Sequence, residues 1–258
     1  MPPMTRGMPP GSPATETVSR FRKLMSVVFL SGTFAGLGLF VVQHLTLVPL
    51  IETAETYEAA QHENSGAPHE EEGWQPADGR ERTFFTALTT ILAGIGFAAI
   101  LFGGLALFGA QLNASRGALW GLVAFACFGL APALGLPPQP PGTAVAGVAE
   151  RQIWWIGTAL GTALGLWLVA GQKRTWLLRI AGVTCLVMPH LIGAPVGRGQ
   201  NAVPAQLIRR FAITSLVTTG IFWLVLGISG GFLCSRFETD QEEGLKPTDA
   251  QLRRGRRE

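Results

Sequence analysis

The sequence predicts an all-α integral membrane protein, a bundle of six transmembrane helices with both termini in the cytoplasm. Three observations lead to this fold class. Hydrophobic residues make up 48% of the 258 residues and charged residues only 14%, whereas about a quarter of a soluble domain is charged. The hydrophobic residues fall into six long runs, and a helix needs about 20 such residues to cross a bilayer. Basic residues gather beside these runs, as they do around membrane spans.

The elements follow in order along the chain. Residues 1–19 are rich in Pro, Gly, Thr and Met without a hydrophobic period, which predicts a disordered cytoplasmic tail. Arg20, Arg22 and Lys23 then precede the first apolar run. A cleaved signal peptide also begins with basic residues, but its apolar core is only about 7–15 residues long, so we favour a permanent span. The spans are predicted at about 24–50, 84–110, 117–136, 152–171, 175–194 and 211–234, within a membrane domain of residues 20–235.

The distribution of Lys and Arg orients the bundle. With six spans, 14 of the 20 basic residues lie on the side of the two termini, and the positive-inside rule places that side in the cytoplasm. Segment 52–82 is then an external loop, and residues 236–258 are a basic cytoplasmic tail. The sequence pI near 9.1 reflects this topology and does not indicate nucleic-acid binding. The chain is predicted to be a multi-pass protein of the cell's inner (cytoplasmic) membrane, with the lipid bilayer as its surroundings.

Glycines spaced four residues apart predict where helices approach closely. Gly157, Gly161 and Gly165 form one row on the fourth span, and small residues in such a row let another helix come near. Packing inside one bundle is the favoured interpretation, and a seam between two copies of the chain is the alternative. Spans one and three carry the same spacing, at Gly32 and Gly36 and at Gly117 and Gly121.

The external loop 52–82 carries nine of the 17 acidic residues, so it would concentrate cations. Carboxylate and imidazole ligands suit divalent ions such as Co²⁺, Ni²⁺, Mn²⁺ or Zn²⁺. If the first helix continues into the loop, Glu55, Glu58 and His62 share one face, and His44 joins them unless Pro49 kinks the helix. The loop alternatively forms a solvated connection that binds nothing, and both interpretations stay open.

Other polar residues at the span ends also lie on the external side. Ionisable groups within or beside a span tend to mark a site. His190 is open to two interpretations, a metal ligand or a histidine hydrogen-bonded inside the bundle. The candidate metal ligands are Glu52, Glu55, Glu58, His44, His190 and the loop histidines His62 and His69, and the further polar candidates so far are Gln43, Arg151 and Gln152.

Several function classes are excluded or disfavoured. The motifs HExxH and GxxxxGK[ST] are absent from the sequence, so neither a zinc-dependent enzyme of the first class nor a chain that binds ATP through the second is indicated. Cys127, Cys185 and Cys234 lie in apolar stretches without CxxC spacing, which indicates packing residues and no permanently bound cofactor.

Five segments in order resemble a known family. They are "PLIETAETYE" (49–58), "EGWQPADGRERT" (72–83), "LWGLVAFACFGLAPALGLPPQPPG" (119–142), "ERQIWW" (150–155) and "MPHLIGAP" (188–195). Together they are similar to the cobalt transporter subunit family CbtA, over about residues 24–234. Glu81 and Arg82 join the candidates through this resemblance, which also matches Glu52, Glu55, Glu58, Gln152 and His190 to polar positions of the family motifs.

The resemblance implies a membrane subunit that takes up Co²⁺, or Ni²⁺ or another divalent cation, as its transported ion. It also implies a partner, the small single-span, histidine-bearing subunit called CbtB. Because His62 and His69 lie in a stretch of variable length, they are weaker ligand candidates than the carboxylates beside them. The alternative from another class is a non-transporting membrane subunit that binds metal or serves as a scaffold for another permease.

Overall fold

The computed structural model describes residues 13–65, 76–171 and 175–245. Within these ranges the chain forms eight α-helices and no β-strand. A π-helical turn, Ala126–Leu130, joins α4 to α5 in one continuous rod. The helices are α1 Pro13–Thr46, α2 Val48–Ser65, α3 Arg80–Leu107, α4 Ala114–Phe125, α5 Ala131–Gly135, α6 Val148–Ala170, α7 Trp176–Ile192 and α8 Ala205–Leu245.

Five helical stretches are long and apolar enough to cross a membrane. The sixth predicted span, at 175–194, corresponds to α7, which is apolar but has only 17 residues, fewer than the roughly 20 that a span ordinarily needs. Gly193 ends this helix with a φ of 86°, a conformation that glycine adopts at little cost. The five long stretches are Thr17–Thr46, Arg80–Leu107, Ala114–Gly135, Val148–Ala170 and Ala205–Phe237.

The core lies between α1, α3, α4 and α8. α1 packs along both α3 and α8, and α4 packs along α8. Phe102, Trp223 and Leu226 are almost completely buried where these helices meet. Large apolar side chains also cover the outside of the bundle, among them Phe34 and Leu92, and this is the pattern of a protein surrounded by lipid rather than water.

Glycines set the closest helix crossings. A Cβ atom on Gly32 would lie 2.6 Å from the Cα atom of Ile95, so α1 and α3 touch through their backbones. Gly117 and Gly121 of α4 meet the backbone of α8 in the same way at Gly227 and Trp223. The predicted role of the two glycine pairs in helix packing is confirmed.

A hairpin of α6 and α7 stands beside this core. Gly161 lies against the backbone of Cys185, and Gly165 lies against Gly182, so α7 of the same chain covers two of the three glycines in the predicted row. A Cβ atom on Gly157 would meet no atom within 4 Å. Gly161 and Gly165 are therefore covered within the chain, which agrees with packing inside one bundle, and a contact with a second copy at Gly157 stays a prediction.

A layer of shorter segments covers one end of the bundle. α1 ends at Thr46 and α2 begins at Val48 with Pro49 in its first turn, so the first helix breaks where the proline was expected to disturb it. α2 buries Leu50 and Ala54 beneath it. Two loops complete the layer, joined by hydrogen bonds from the Ala202 amide to the Gly142 carbonyl oxygen at 2.9 Å and from the Ala144 amide to Asn201 Oδ1 at 2.8 Å.

Three predicted boundaries differ from the helices. α1 starts at Pro13 and includes residues 13–19, which were assigned to a tail. α8 extends to Leu245, well past the predicted end of the last span at residue 234. Much of segment 52–82 is helical rather than a loop, since α2 continues to Ser65 and α3 starts at Arg80. Residues 1–12 and 246–258 lie outside the described residues.

Candidate functional site

A cavity of about 380 Å³ lies between α2 and the start of α3, at the end of the bundle where α1 stops. It combines carboxylate, imidazole, guanidinium and hydroxyl groups with two aliphatic side chains. His44, Val48, Ile51, Glu52 and Glu55 line it from α1 and α2, and Asp78, Gly79, Arg82, Thr83 and Thr86 line it from α3 and the residues before it.

Helical spacing explains why these residues meet. On α2, Val48, Ile51, Glu52 and Glu55 follow the i, i+3, i+4, i+7 rule and therefore share one face, while Ala54 is buried on another. On α3, residues 82, 83 and 86 form the facing wall. Gly79 precedes α3 with a φ of 87°, and glycine allows the chain to turn there before the helix begins.

Arg82 and Glu55 form the central contact of the cavity. The guanidinium engages the carboxylate through both nitrogens, with Nη2 2.5 Å from Oε1 and Nη1 3.3 Å from Oε2. Such a bidentate pair fixes orientation as well as distance. The Arg82 side chain remains 42% exposed and that of Glu55 37% exposed, so water screens the pair. The ion pair between Arg82 and Glu55 thus connects α2 to α3 at a partly exposed position.

The other acidic groups give the cavity its charge. Asp78 Oδ1 is 3.4 Å from Arg82 Nη1, but the Asp78 side chain is 94% exposed, so this contact is weak. Glu52 is exposed on α2, and His44 is exposed with its ring centroid 5.7 Å from that of Phe40. Three carboxylates against one guanidinium leave the cavity lining negative, which favours cations.

The cavity does not form a closed coordination shell. Among the described residues, no three His, Cys, Asp or Glu side chains are placed to hold one metal ion. Glu55 is engaged by Arg82, while Glu52 and His44 face the open part of the cavity wall. In this state the cavity can attract a hydrated cation by charge, and direct ligation requires side chains to move.

Several predicted candidates lie near the cavity without lining it. Glu58 belongs to the next turn of α2 and packs against Gly142. Glu81 is exposed in the first turn of α3. Gln43 is half-buried on α1, and its backbone carbonyl oxygen accepts a hydrogen bond from the backbone amide of Leu47 at 2.8 Å. The structure thus divides the predicted carboxylates, bringing Glu52 and Glu55 together and leaving Glu58 apart.

A second polar group lies where α6 begins and α7 ends, away from the cavity lining. The ring of His190 packs edge-to-face on Trp154 with 6.1 Å between centroids. Arg151 Nε and Trp154 Nε1 are buried with no hydrogen-bond partner among the described residues. Gln152 is exposed on the same turn. These residues belong to the α6–α7 hairpin, so His190 and the cavity carboxylates do not meet in this structure.

The two loop histidines are not both described. His62 lies within the span of α2, Val48–Ser65, and His69 falls outside the described residues. Among the side chains that the structure describes, His44 provides the imidazole of the cavity lining.

Sequence reasoning missed three cavity residues with polar side chains, namely Asp78, Thr83 and Thr86. Asp78 stands four residues before Arg82, the spacing at which opposite charges meet on one helix face. The hydroxyl groups donate within the helix, Thr83 to the Gly79 carbonyl oxygen at 2.8 Å and Thr86 to that of Arg82 at 2.7 Å. The i, i+4 spacing around Arg82 was present in the sequence and could have identified Asp78 and Thr86, but it does not reach Thr83.

Below the cavity the described interior is apolar. Its fully buried polar side chains are all hydroxyls, and each donates to a carbonyl oxygen of its own helix. The residues are Ser31, Thr158, Thr162 and Thr218. An aromatic cluster occupies the middle of the bundle, where Phe128 stacks on Trp223 at 5.6 Å and Phe97 meets Trp223 edge-on at 5.1 Å.

Comparison with known proteins gives a family match that covers most of the chain. The sequence matches no curated protein and no solved structure. The model of one family, described as "Probable cobalt transporter subunit (CbtA)", matches residues 21–235. This range covers nearly all of the described apolar helices, from four residues after the start of the first to two residues before the end of the last, and it contains every residue named in the cavity lining. The chain therefore belongs to the CbtA family of probable cobalt transporter subunits.

Proposed function

We propose that this chain takes Co²⁺, or a similar divalent cation such as Ni²⁺, from the external face of the inner membrane and delivers it inward. The observation that carries the proposal is the grouping of His44, Glu52 and Glu55 around one cavity, in a chain of a cobalt transporter subunit family. Carboxylate and imidazole groups are ligands that Co²⁺ accepts. The cavity provides both types at one end of the bundle.

The proposed topology has six spans with both termini in the cytoplasm. Gly32 meets Ile95 while Gly36 meets Ile91, so α1 and α3 are antiparallel. Gly117 meets Gly227 while Gly121 meets Trp223, so α4 and α8 are antiparallel as well. In the hairpin, Trp154 meets His190 at one end and Gly165 meets Gly182 further along. α7 therefore runs opposite to α6 over most of its length, which supports its assignment as the sixth span despite its 17 residues.

Capture and entry require different chemistry. The negative lining first attracts the hydrated ion, and ligands must then replace part of its water shell, because a bare ion in hydrocarbon is very costly. Glu52, Glu55 and His44 are the proposed replacement ligands. A divalent ion gains about 4.6 kcal/mol for each 100 mV of membrane potential, inside negative. That gain is sufficient to drive gated entry without ATP.

The experiment is Co²⁺ uptake into liposomes that contain the purified protein under an imposed inside-negative potential. Glu52→Gln combined with Glu55→Gln should reduce the initial rate by about tenfold, since both cavity carboxylates lose their charge. Glu150→Gln is the matched control, because it removes one exposed carboxylate at the same end of the bundle, on α6. Unchanged uptake by the double variant would refute the proposed capture site.

The apolar interior favours a second candidate function, in which the chain is a non-transporting subunit that binds metal and serves another permease. The aromatic cluster around Phe128 and Trp223 lies across the bundle, so ion passage there needs either a conformational change or another chain. A small single-span, histidine-bearing subunit is the partner we expect, and Gly157 retains an open helix face. Metal binding without uptake by the protein alone, and uptake restored by the partner, would identify this second function.

A further inference from the structure

Arg82 lines two adjoining spaces. One is the cavity described above, where its guanidinium holds Glu55. The other is an open groove of about 430 Å³, which Arg82 lines together with Pro76, Phe85, Thr86, Thr89 and Thr90. Arg82 and Thr86 are common to both linings. The side chain therefore stands in the wall between two spaces of similar size.

The contact between Arg82 and Glu55 is exchangeable. Both side chains are more than a third exposed, and exposed ion pairs contribute little to stability because water screens them. A divalent cation carries twice the charge of a guanidinium and also accepts oxygen ligands directly. An ion in the cavity would therefore compete with Arg82 for the Glu55 carboxylate.

The groove offers the displaced guanidinium a place to go. The hydroxyl of Thr86 donates to the Arg82 carbonyl oxygen and that of Thr90 donates to the Thr86 carbonyl oxygen, each at 2.7 Å. Their donor hydrogens are thus used inside the helix, and their oxygen lone pairs stay available to accept from an N–H group. Phe85 adds an aromatic surface, on which a guanidinium stacks more readily than an ammonium does.

We infer that Arg82 is a tethered cation that occupies the Glu55 carboxylate when the cavity holds no metal. Divalent metal displaces it, and the guanidinium turns into the groove beside Phe85, Thr86 and Thr89. The released Glu55 carboxylate then completes the ligand set with Glu52 and His44. Loss of the Arg82–Glu55 ion pair also removes one contact between α2 and α3. Arg82 is accordingly a positioning residue that sets the affinity threshold for the ion. This inference rests on the proposed function of the cavity.

The first test measures Co²⁺ binding to the purified protein in detergent by isothermal titration calorimetry. Arg82→Gln removes the competitor and should tighten binding by about tenfold. Arg80→Gln is the matched control. Arg80 carries the same charge two residues before Arg82, and its exposed side chain lines neither the cavity nor the groove. This substitution should change the affinity by less than about threefold.

The second test examines the groove through Thr89, which lines the groove but not the cavity. Thr89→Val keeps the shape and removes the acceptor oxygen, so it should weaken Co²⁺ binding about threefold when Arg82 is present. In the Arg82→Gln background the same substitution should have no effect. This non-additivity is the signature of displacement, and a merely structural role for Thr89 would weaken binding in both backgrounds.

The outcomes separate the two proposals. If the wild type binds Co²⁺ and Arg82→Gln binds it equally or more weakly, the tethered-cation inference is wrong while the capture site stands. If neither protein binds Co²⁺, the capture site itself is wrong and the inference falls with it. Tighter binding by Arg82→Gln, together with loss of the Thr89→Val effect, would support both.

Discussion

Gly117 of α4 and Gly227 of α8 lie so close that a methyl group on either would overlap the carbonyl oxygen of the other. Neighbouring Gly121 and Gly231 extend this contact along both helices. Membrane helices gain little from the hydrophobic effect when they associate, so such close backbone packing contributes much of their attraction. The α4–α8 crossing is therefore the most sensitive joint of the four-helix core.

Gly227→Ala should destabilise the protein by about 1–3 kcal/mol, because the added methyl group forces the two backbones apart. Thermal unfolding in detergent should show a lower Tm. Gly96→Ala is a suitable control, since a Cβ atom there would meet nothing within 4 Å. Equal Tm values for the two variants would show that α4 and α8 pack less closely than described.

Two glycines of α6 provide a paired comparison on one helix. Gly165→Ala should lower the Tm, because its Cβ atom would lie 2.7 Å from Leu186 Cγ and 2.8 Å from the Gly182 carbonyl oxygen. Gly157→Ala should leave the Tm of the single chain unchanged, since that position is open. Light scattering on the same samples would detect a second copy at Gly157, which would appear as a change in mass for Gly157→Ala alone.

Phe128 joins the hairpin to the core. Its ring stacks on Trp223 of α8 and lies 6.1 Å from the ring of Trp155 on α6. Phe128→Ala should lower the free energy of unfolding by about 2 kcal/mol through lost packing and ring contacts. The exposed Phe108, at 78% relative exposure, is the control, and its replacement by alanine should change the stability little. A stable Phe128→Ala protein would mean that other contacts hold the hairpin.

The two histidines of known position should differ in metal binding. His44→Phe should weaken Co²⁺ binding by about tenfold, because it removes the imidazole that lines the cavity. His190→Phe should change the affinity by less than about twofold, since His190 packs on Trp154 and does not line that cavity. Calorimetry would check both values. The reverse order of effects would move the ion site to the α6–α7 hairpin.

The apolar helices were largely predictable from the sequence because lipid demands long uncharged runs. The helix faces that carry only glycine were predictable too, but the helices that pack on them were not. Glycine spacing shows which face lacks side chains, and it does not show which helix packs there. Thus Gly117 and Gly121 were identified and their counterparts Gly227 and Gly231 were not. The π-helical turn at Ala126–Leu130 was not predicted, because it depends on packing and leaves no simple periodic signal.

The site was only partly predictable. Helical spacing placed Glu55 and Glu58 on one face of the helix, but the cavity lining ends at Glu55, and Glu58, about one turn further along α2, packs against Gly142. His190 was grouped with them because it lies at the same end of the chain's spans. That grouping used only the predicted depth of each residue in the membrane. Two residues at the same depth can lie on helices that do not contact each other.

The position of α8 has a consequence for biosynthesis. α8 packs on α1 and on α4, yet it is the last of the described helices to leave the ribosome. α1 and α3 can pair early, whereas the bare glycine face of α4 must wait in the bilayer while the α6–α7 hairpin is inserted. Assembly is therefore completed only by the final helix. A chaperone or insertase that shelters Gly117 and Gly121 during that interval would determine how much of the protein is correctly assembled.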